Sequence, residues 1–273
     1  MLLKTGLAYG SVPTLVLVVV SALRVAERPR AFVRVAGPDA EDYLQRMVSN
    51  DVASLEPGGS CDALLLTAKA RVIAPLRVLR RAAHDFLLLT EPELGERVRQ
   101  ELARFRFAAK AEIEPEQHRS LVVFGDGDGI PTDDYGEAAR EVLDADLVPT
   151  IDEDELERLR VTAGTPRWGR EIDDRVLPAE AGLVERAVSF TKGCYPGQEP
   201  IARLRYRGHV NRRLRVLEID SEPQPDAEVR FGEKVVGRVT SAVPGRALAY
   251  VRTEVPDDAE LSVGGARARL SRV

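Results

Sequence analysis

Cysteine is nearly missing from this chain: 273 residues carry two, Cys61 and Cys194. Thiols so few and so far apart build neither a disulfide framework nor a zinc pattern. A reducing compartment suits them best, and a single Cys61–Cys194 bridge is the one intramolecular disulfide the count permits. Histidine is as scarce. His84, His118 and His209 share no metal-ligand spacing, so the sequence offers no metal site. Net positive charge is missing too. The formal charge is −5, and bulk charge draws the chain to neither DNA nor an anionic membrane. The N-terminal apolar run Val12–Leu23 falls short of the about 20 residues that cross a bilayer. It suits a signal-peptide core ending at Val20-Ser21-Ala22, a buried valine-rich strand, or an over-long translation start. The expectation adopted is a cytoplasmic protein with no stable membrane association and an uncertain N-terminal extension, residues 1–21. The glycine-rich stretch GDGDGIP, Gly125–Pro131, lacks the Lys-Ser/Thr of a phosphate loop, and its aspartates repel phosphate, so it reads as a surface turn.

What is present is a core-sized share of apolar residues, 44 %, beside a charged share of 30 % that keeps most of the surface solvated. Phe32–Val35 reads as a strand. After Gly37-Pro38, the residues Ala40, Tyr43, Leu44, Met47 and Val48 recur at helical spacing, and Ser49-Asn50-Asp51 ends the helix. Leu64–Leu66, Val72–Leu79 and Phe86–Leu89 read as strands, the last two as a hairpin across Arg81–His84. Thr90 and Glu93 suggest a capping box for a helix with Leu94, Val98, Leu102 and Phe105 on one face. Leu121–Phe124 reads as a strand. The spacing of Tyr135, Ala138, Ala139, Val142 and Leu143 predicts a helix, and another short one covers about Asp152–Arg160. From Leu214 onward, short strand-like runs alternate with Gly, Pro and Asp turns, the pattern of a small antiparallel barrel.

Between these parts lies Arg160–Arg213, dense in Gly, Pro and charge yet carrying Trp168, the single tryptophan. Long irregular stretches in compact domains are commonly functional. Glu180 sits between Pro178 and Gly182. A fixed carboxylate there can accept two parallel hydrogen bonds, from an arginine or from the ring N–H and amino group of a 2-amino-4-oxo pterin. A surface glutamate or a structural ion pair is the plainer alternative. Arg203, Arg205 and Arg207 alternate, so on a strand they share one positive face for a phosphate or polycarboxylate, or for the protein's own acids. Tyr206 alone makes a poor platform for single-stranded RNA. Cys194 is flanked by Gly193, Pro196 and Gly197, which fix backbone shape, while Lys192 and nearby arginines favour a thiolate. A small buried hydrophobe is the ordinary alternative for such a residue.

KGCYPGQE, preceded by Ser189-Phe190-Thr191 and followed by Ile201-Ala202-Arg203, resembles the signature of the YgfZ-type folate-binding proteins, within the superfamily of the glycine-cleavage T-protein. FVRVAGPDAEDYLQRMVSNDV resembles the opening strand, helix and Asn-Asp turn of that family. AGTPRWGREIDDRVLPAEAGL is more similar to T-protein, and Gly237–Ser241 to the family's terminal barrel. The resemblance implies an α+β fold: a T-protein-like multi-lobed folate-binding body of two intertwined lobes over residues 22–211, then a C-terminal antiparallel β-barrel over 212–273. It implies tetrahydrofolate or a derivative in a central pocket, with Glu180 as pterin partner and Asn50 near it. Lys192, Tyr195, Gln198, Glu199, Arg203 and Arg207 are expected around the ligand. Cys194 is expected to present its thiol toward that pocket and to serve iron–sulfur client or assembly proteins, with a transient cluster contact, from a monomer. One departure matters. Where T-protein carries an Asp pair that handles the aminomethyl group, this chain has Ala74 and Pro75, so the pocket is expected without that chemistry. Two other functions are weighed against this one: a folate-dependent one-carbon transferase using other residues, and a folate-binding module associated with tRNA modification. The absent acids weigh against the first, and the acidic net charge against the second.

Overall fold

The computed structural model describes residues 23–221 and 223–271, so the extension over residues 1–21 lies outside the described residues. The chain builds two open sheets and a closed barrel. The larger sheet has five antiparallel strands: β2 (Ala31–Ala36), β3 (Ser60–Leu66), β4 (Val72–Ala82), β5 (Asp85–Thr90) and β6 (Glu112–Glu116), in the order β3-β4-β5-β2-β6. Both faces of its centre are buried, which is why β5 reads DFLLLT with almost no polar break. Phe86 and Leu88 face the main core, where α1 (Ala40–Met47) and α2 (Gly95–Arg104) pack. Leu87 and Leu89 face the other side with Phe32 and Ile130. The expected capping box before α2 does not form. The Thr90 hydroxyl donates instead to the Pro75 carbonyl at 2.8 Å, and Pro92–Leu94 form a 3₁₀ turn ahead of the helix.

The smaller sheet orders its four strands β1-β7-β9-β8: β1 (Val25–Glu27), β7 (Ser120–Phe124), β8 (Ile130–Thr132) and β9 (Ala139–Leu143). The helix expected across Tyr135–Leu143 is thus a strand, preceded by turns. β9 pairs with β7 from Ser120↔Leu143 to Phe124↔Ala139, and Ala139 and Glu141 are its buried residues. A buried glutamate masks the period-2 pattern, leaving the alanines and valine to mimic a helix. α3 (Glu153–Ala163) covers this sheet through Leu156 and Leu159. Its N-cap Asp152 accepts a hydrogen bond from the Glu155 amide, and Gly164 closes it at φ +80°.

The barrel closes six antiparallel strands in the order β10-β13-β12-β11-β14-β15: β10 (Arg212–Ile219), β11 (Glu228–Phe231), β12 (Lys234–Val243), β13 (Arg246–Arg252), β14 (Glu260–Val263) and β15 (Ala266–Leu270). Closure removes the exposed strand edges that an open sheet must protect. α3 docks on it through Val161 against Val216, Val243 and Leu248. Between α3 and the barrel run two short helices, α4 (Val184–Ala187) and α5 (Gln198–Arg207). Among the described residues no helix is long and apolar enough to cross a membrane.

One surface ion cluster gives a pH signature. His118 lies between Asp144, at 2.6 Å, and Glu116, at 2.8 Å. Burial alone lowers its pKa, but the two carboxylates outweigh burial and raise it. With the folded value above the unfolded one, the stabilisation is complete below about pH 6.5 and fades as pH rises through the folded value. His118→Gln is expected to destabilise the protein at pH 5.5 and to change little at pH 9, as read by urea denaturation.

Candidate functional site

Where the two sheets, α3 and the Thr165–Ala187 segment meet, they enclose a cavity of about 650 Å³. β3 and β4 contribute Asp62, Leu64, Pro75 and Arg77 to its wall, and the β1–β2 link contributes Arg28 and Arg30. The charges inside are paired. Arg28 donates to both oxygens of Glu91, at 3.0 and 2.6 Å. Arg30 donates to both oxygens of Glu141, at 2.7 and 3.0 Å, and the Ser120 hydroxyl adds a further bond at 3.0 Å. Asp62 is shared by Arg77, at 2.9 Å, and Arg186, at 2.8 Å, and Arg186 also reaches Asp134 at 2.7 Å. Burial pushes the Asp134 carboxylate toward the neutral form, but Arg186, Arg77 and Arg30 together hold it down at about 2. Arginine likewise outweighs burial at Glu91 and Glu141, which stay below the usual carboxylate range. Burial pushes the Tyr135 phenol up to about 12. A ligand entering here meets donors and acceptors already held in position.

Another part of the wall is apolar and flat: Trp168, with Leu156, Ile172 and Leu183. Trp168 packs against the cores of both the large sheet and the 172–201 segment, and the Arg97 guanidinium lies 5.5 Å from its ring centre. Its loop is anchored by Glu171, a buried carboxylate that accepts from Arg160 at 3.0 Å, the Ser241 hydroxyl at 2.6 Å and the Arg167 amide at 3.1 Å. The Tyr250 hydroxyl donates to the Glu171 carbonyl at 2.8 Å, tying the loop to the barrel. Removing one partner from such a buried network leaves a charge uncompensated, which makes the loop a rigid support. Glu157 on α3 also lines the cavity, accepting from Arg160 at 2.8 and 2.7 Å with Arg167 at 3.3 Å.

The cysteine motif lies elsewhere. Its loop is fastened to the end of α1: the Ser189 amide donates to the Ser49 carbonyl at 3.0 Å, and the Lys192 ammonium to the carbonyls of Val48 and Asn50, at 2.7 and 2.8 Å. Burial brings the Lys192 pKa down to about 8. Asn50 in turn donates to the Asp62 carbonyl at 2.7 Å, bracing the strand whose side chain faces the cavity. Gly197 adopts φ +84°, and a β-carbon there would stand 2.7 Å from the Thr67 carbonyl, so the turn after the cysteine accepts glycine alone. Tyr195 is buried, its hydroxyl has no hydrogen-bond partner among the described residues, and burial raises its pKa to about 12.

Cys194 is exposed and is not among the residues lining the cavity, which corrects the expectation of a thiol aimed into the pocket. Lys192 spends its ammonium on two carbonyls, as given above, so its expected service to the thiol has no geometric basis. Glu180 is likewise outside the cavity. Its carboxylate accepts from Arg212 on β10 at 3.3 Å through two nitrogens and from the Leu177 amide at 3.2 Å, the structural ion pair named as the alternative. Arg203, Arg205 and Arg207 share a helix, α5, and so cannot alternate on a strand face. Arg203 pairs with Glu199 one turn earlier at 2.8 Å, and Gln198 opens the helix. The structure therefore gathers Asn50, Lys192, Cys194 and Tyr195 around one loop, separate from the cavity. The sequence reading passed over Arg28, Arg30, Glu91, Asp134 and Glu141. Their one local signal is charge inside or beside strand-like runs.

Comparison with known proteins places these features. Residues 211–273 match the family model described as the CAF17 C-terminal beta-barrel domain. A tRNA-modifying protein YgfZ from Edwardsiella ictaluri is 28 % identical over 251 residues, 74 % of this chain and 73 % of that protein. The mouse (Mus musculus) mitochondrial iron-sulfur cluster assembly factor IBA57 is 26 % identical over 260 residues, 80 % of this chain and 72 % of its own. The crystal structure of the glycine cleavage system aminomethyltransferase T from Bartonella henselae superposes with a TM-score of 0.79 at 19 % identity, covering 92 % of this chain and 85 % of that one, which establishes a common fold.

Proposed function

We propose, from the premise that this chain is a YgfZ-type protein of the glycine-cleavage T-protein superfamily, that it binds a reduced folate in the central cavity and uses Cys194 to support the assembly or repair of iron–sulfur enzymes in the cytoplasm. The observation that carries the ligand is the cavity itself. Its volume of about 650 Å³ lies within the range of about 300–1,000 Å³ usual for small-molecule sites. The flat Trp168 wall suits a fused heterocycle, and the fixed carboxylates and arginines suit its amide edge and its acidic tail. In place of the pterin acceptor expected at Glu180, Glu157 on α3 lines the cavity and can offer a single acceptor position, because Arg160 already donates to both of its oxygens. Bound folate would supply a one-carbon carrier or a reductant. The chain's own residues would bind and orient it.

Aminomethyl transfer does not fit these walls. Pro75 lines the cavity where the expected acid would stand, and Ala74 is buried in the main core. Neither can take a proton or stabilise an iminium cation. Cys194 has a different use. A thiolate is a soft ligand suited to iron–sulfur clusters. Among the described residues no three His, Cys, Asp or Glu groups converge to hold a metal, so a cluster at this exposed thiol would take its other ligands from a partner. That one relative is an iron-sulfur cluster assembly factor and another a tRNA-modifying protein agrees with iron–sulfur clients that include tRNA-modifying enzymes. The test is to delete the protein and assay iron–sulfur enzymes in cell extracts. Reduced activity at unchanged enzyme abundance is expected, and unchanged activity would contradict the reading.

A further inference from the structure

The cavity and the cysteine loop are separate, yet one short turn touches both. Ser49 and Asn50 follow α1 and do not themselves line the cavity. Ser49 is fully buried; its hydroxyl donates to the Ala187 carbonyl at 2.6 Å and accepts from the Leu64 amide at 2.8 Å. The Asn50 side-chain nitrogen donates to the carbonyls of Asp62, at 2.7 Å, and Arg186, at 3.3 Å. These four partners, Asp62, Leu64, Arg186 and Ala187, all line the cavity. The backbone carbonyls of the same turn take the loop: Val48 and Asn50 accept from Lys192, and Ser49 from the Ser189 amide. Cys194 follows Lys192 by two residues.

The bonds of this turn join distant segments. Asn50 and Arg186 are 136 residues apart, and Asn50 and Lys192 are 142. None belongs to a local element, so wall, turn and loop hold one another. On the wall side Arg186 has carboxylates to either hand. Asp62 on β3 lies at 2.8 Å, while Asp134 at 2.7 Å and Asp133 at 3.2 Å belong to the link between β8 and β9. A ligand that engages Asp62 or Asp134 changes how the guanidinium is shared between the two sides. The helix that carries Arg186, α4, has four residues, too few to hold its place without tertiary contacts. We propose that this turn links the two sites: occupation of the cavity sets the position of the Cys194 loop, with Asn50 and Lys192 as positioning residues. The inference rests on the reading of the cavity as a folate site and of Cys194 as the working group, and adds that the ligand governs the thiol. Linkage makes the effect reciprocal, so residues of the turn and loop that touch no ligand should still change its affinity.

The test is amide hydrogen exchange over Ser189–Gly197, read by mass spectrometry with and without tetrahydrofolate, beside calorimetry of binding. Saturating ligand is expected to slow exchange in the loop by on the order of tenfold and to leave the barrel strand β13 unchanged. Asn50→Asp keeps the side-chain oxygen that accepts from the Asp51 amide at 2.9 Å and loses the donor to Asp62 and Arg186. It should abolish the slowing and weaken binding by about fivefold or more. Lys192→Met should do the same from the loop side, which keeps the test open if Asn50→Asp fails to fold. A third variant needs no ligand. Asp62→Asn takes one carboxylate from Arg186, and in the free protein it should speed exchange in the loop by on the order of tenfold, again without effect on β13. Faster exchange in Asp62→Asn with no heat from tetrahydrofolate would support the link and contradict the folate reading alone. Loop exchange that ignores both bound ligand and Asp62→Asn would overturn the proposal, as would a slowing that persists in Asn50→Asp and in Lys192→Met.

Discussion

Titration with tetrahydrofolate is expected to quench the fluorescence of Trp168, with a dissociation constant in the micromolar range, about −8 kcal/mol. The expected change is large because this is the chain's single tryptophan and it stands in the cavity wall, so no other indole dilutes the signal. Trp168→Phe should remove the optical signal yet keep binding measurable by calorimetry, since a flat apolar wall remains. Glu157→Gln should weaken binding by about 1–3 kcal/mol, because the charged acceptor for the pterin edge is lost. Glu180→Ala should leave affinity within about twofold, roughly 0.4 kcal/mol, because its carboxylate serves Arg212 at the barrel. If Glu180→Ala abolishes binding while Glu157→Gln does not, the pterin lies at the barrel junction and not in the cavity.

Iodoacetamide at neutral pH is expected to modify Cys194 faster than Cys61 by on the order of a hundredfold or more. Cys194 is exposed, while Cys61 is partly buried on β3. Burial first, and then the neighbouring Asp62 charge, push the Cys61 thiol up to about 12, which leaves almost no thiolate there to react. Mass spectrometry of the two tryptic peptides over time reads both rates in one sample. Comparable rates would mean that the thiols share an environment, and Cys194 would lose its claim to be the accessible working group.

Much of the frame was legible because local and tertiary signals agreed. The β4–β5 hairpin, α1, and the short barrel strands after Leu214 follow from period and turn residues. β9 did not follow, because Glu141 is buried only by virtue of Arg30, which lies 111 residues away in sequence. A charge neutralised by so distant a partner looks solvent-facing in any local window. The cavity failed for the same reason. Arg28–Glu91 and Arg186–Asp62 are pairs that exist only once segments 63 and 124 residues apart meet. The motif loop was legible as a rigid structure, since Gly197 is required by its φ and by the Thr67 carbonyl. Its direction was not, because sequence spacing does not say that Lys192 turns inward to Val48 and Asn50 and leaves Cys194 outside.

The measurement that bears most directly on the central claim is complementation of cells lacking this protein with the wild type, Cys194→Ser or Cys61→Ser, each at matched abundance, followed by assays of iron–sulfur enzymes. The serine is nearly isosteric and the site is exposed, so Cys194→Ser should fold as the wild type does. The account expects wild type and Cys61→Ser to restore activity and Cys194→Ser to leave it at the level of the deletion. Full restoration by Cys194→Ser would contradict it.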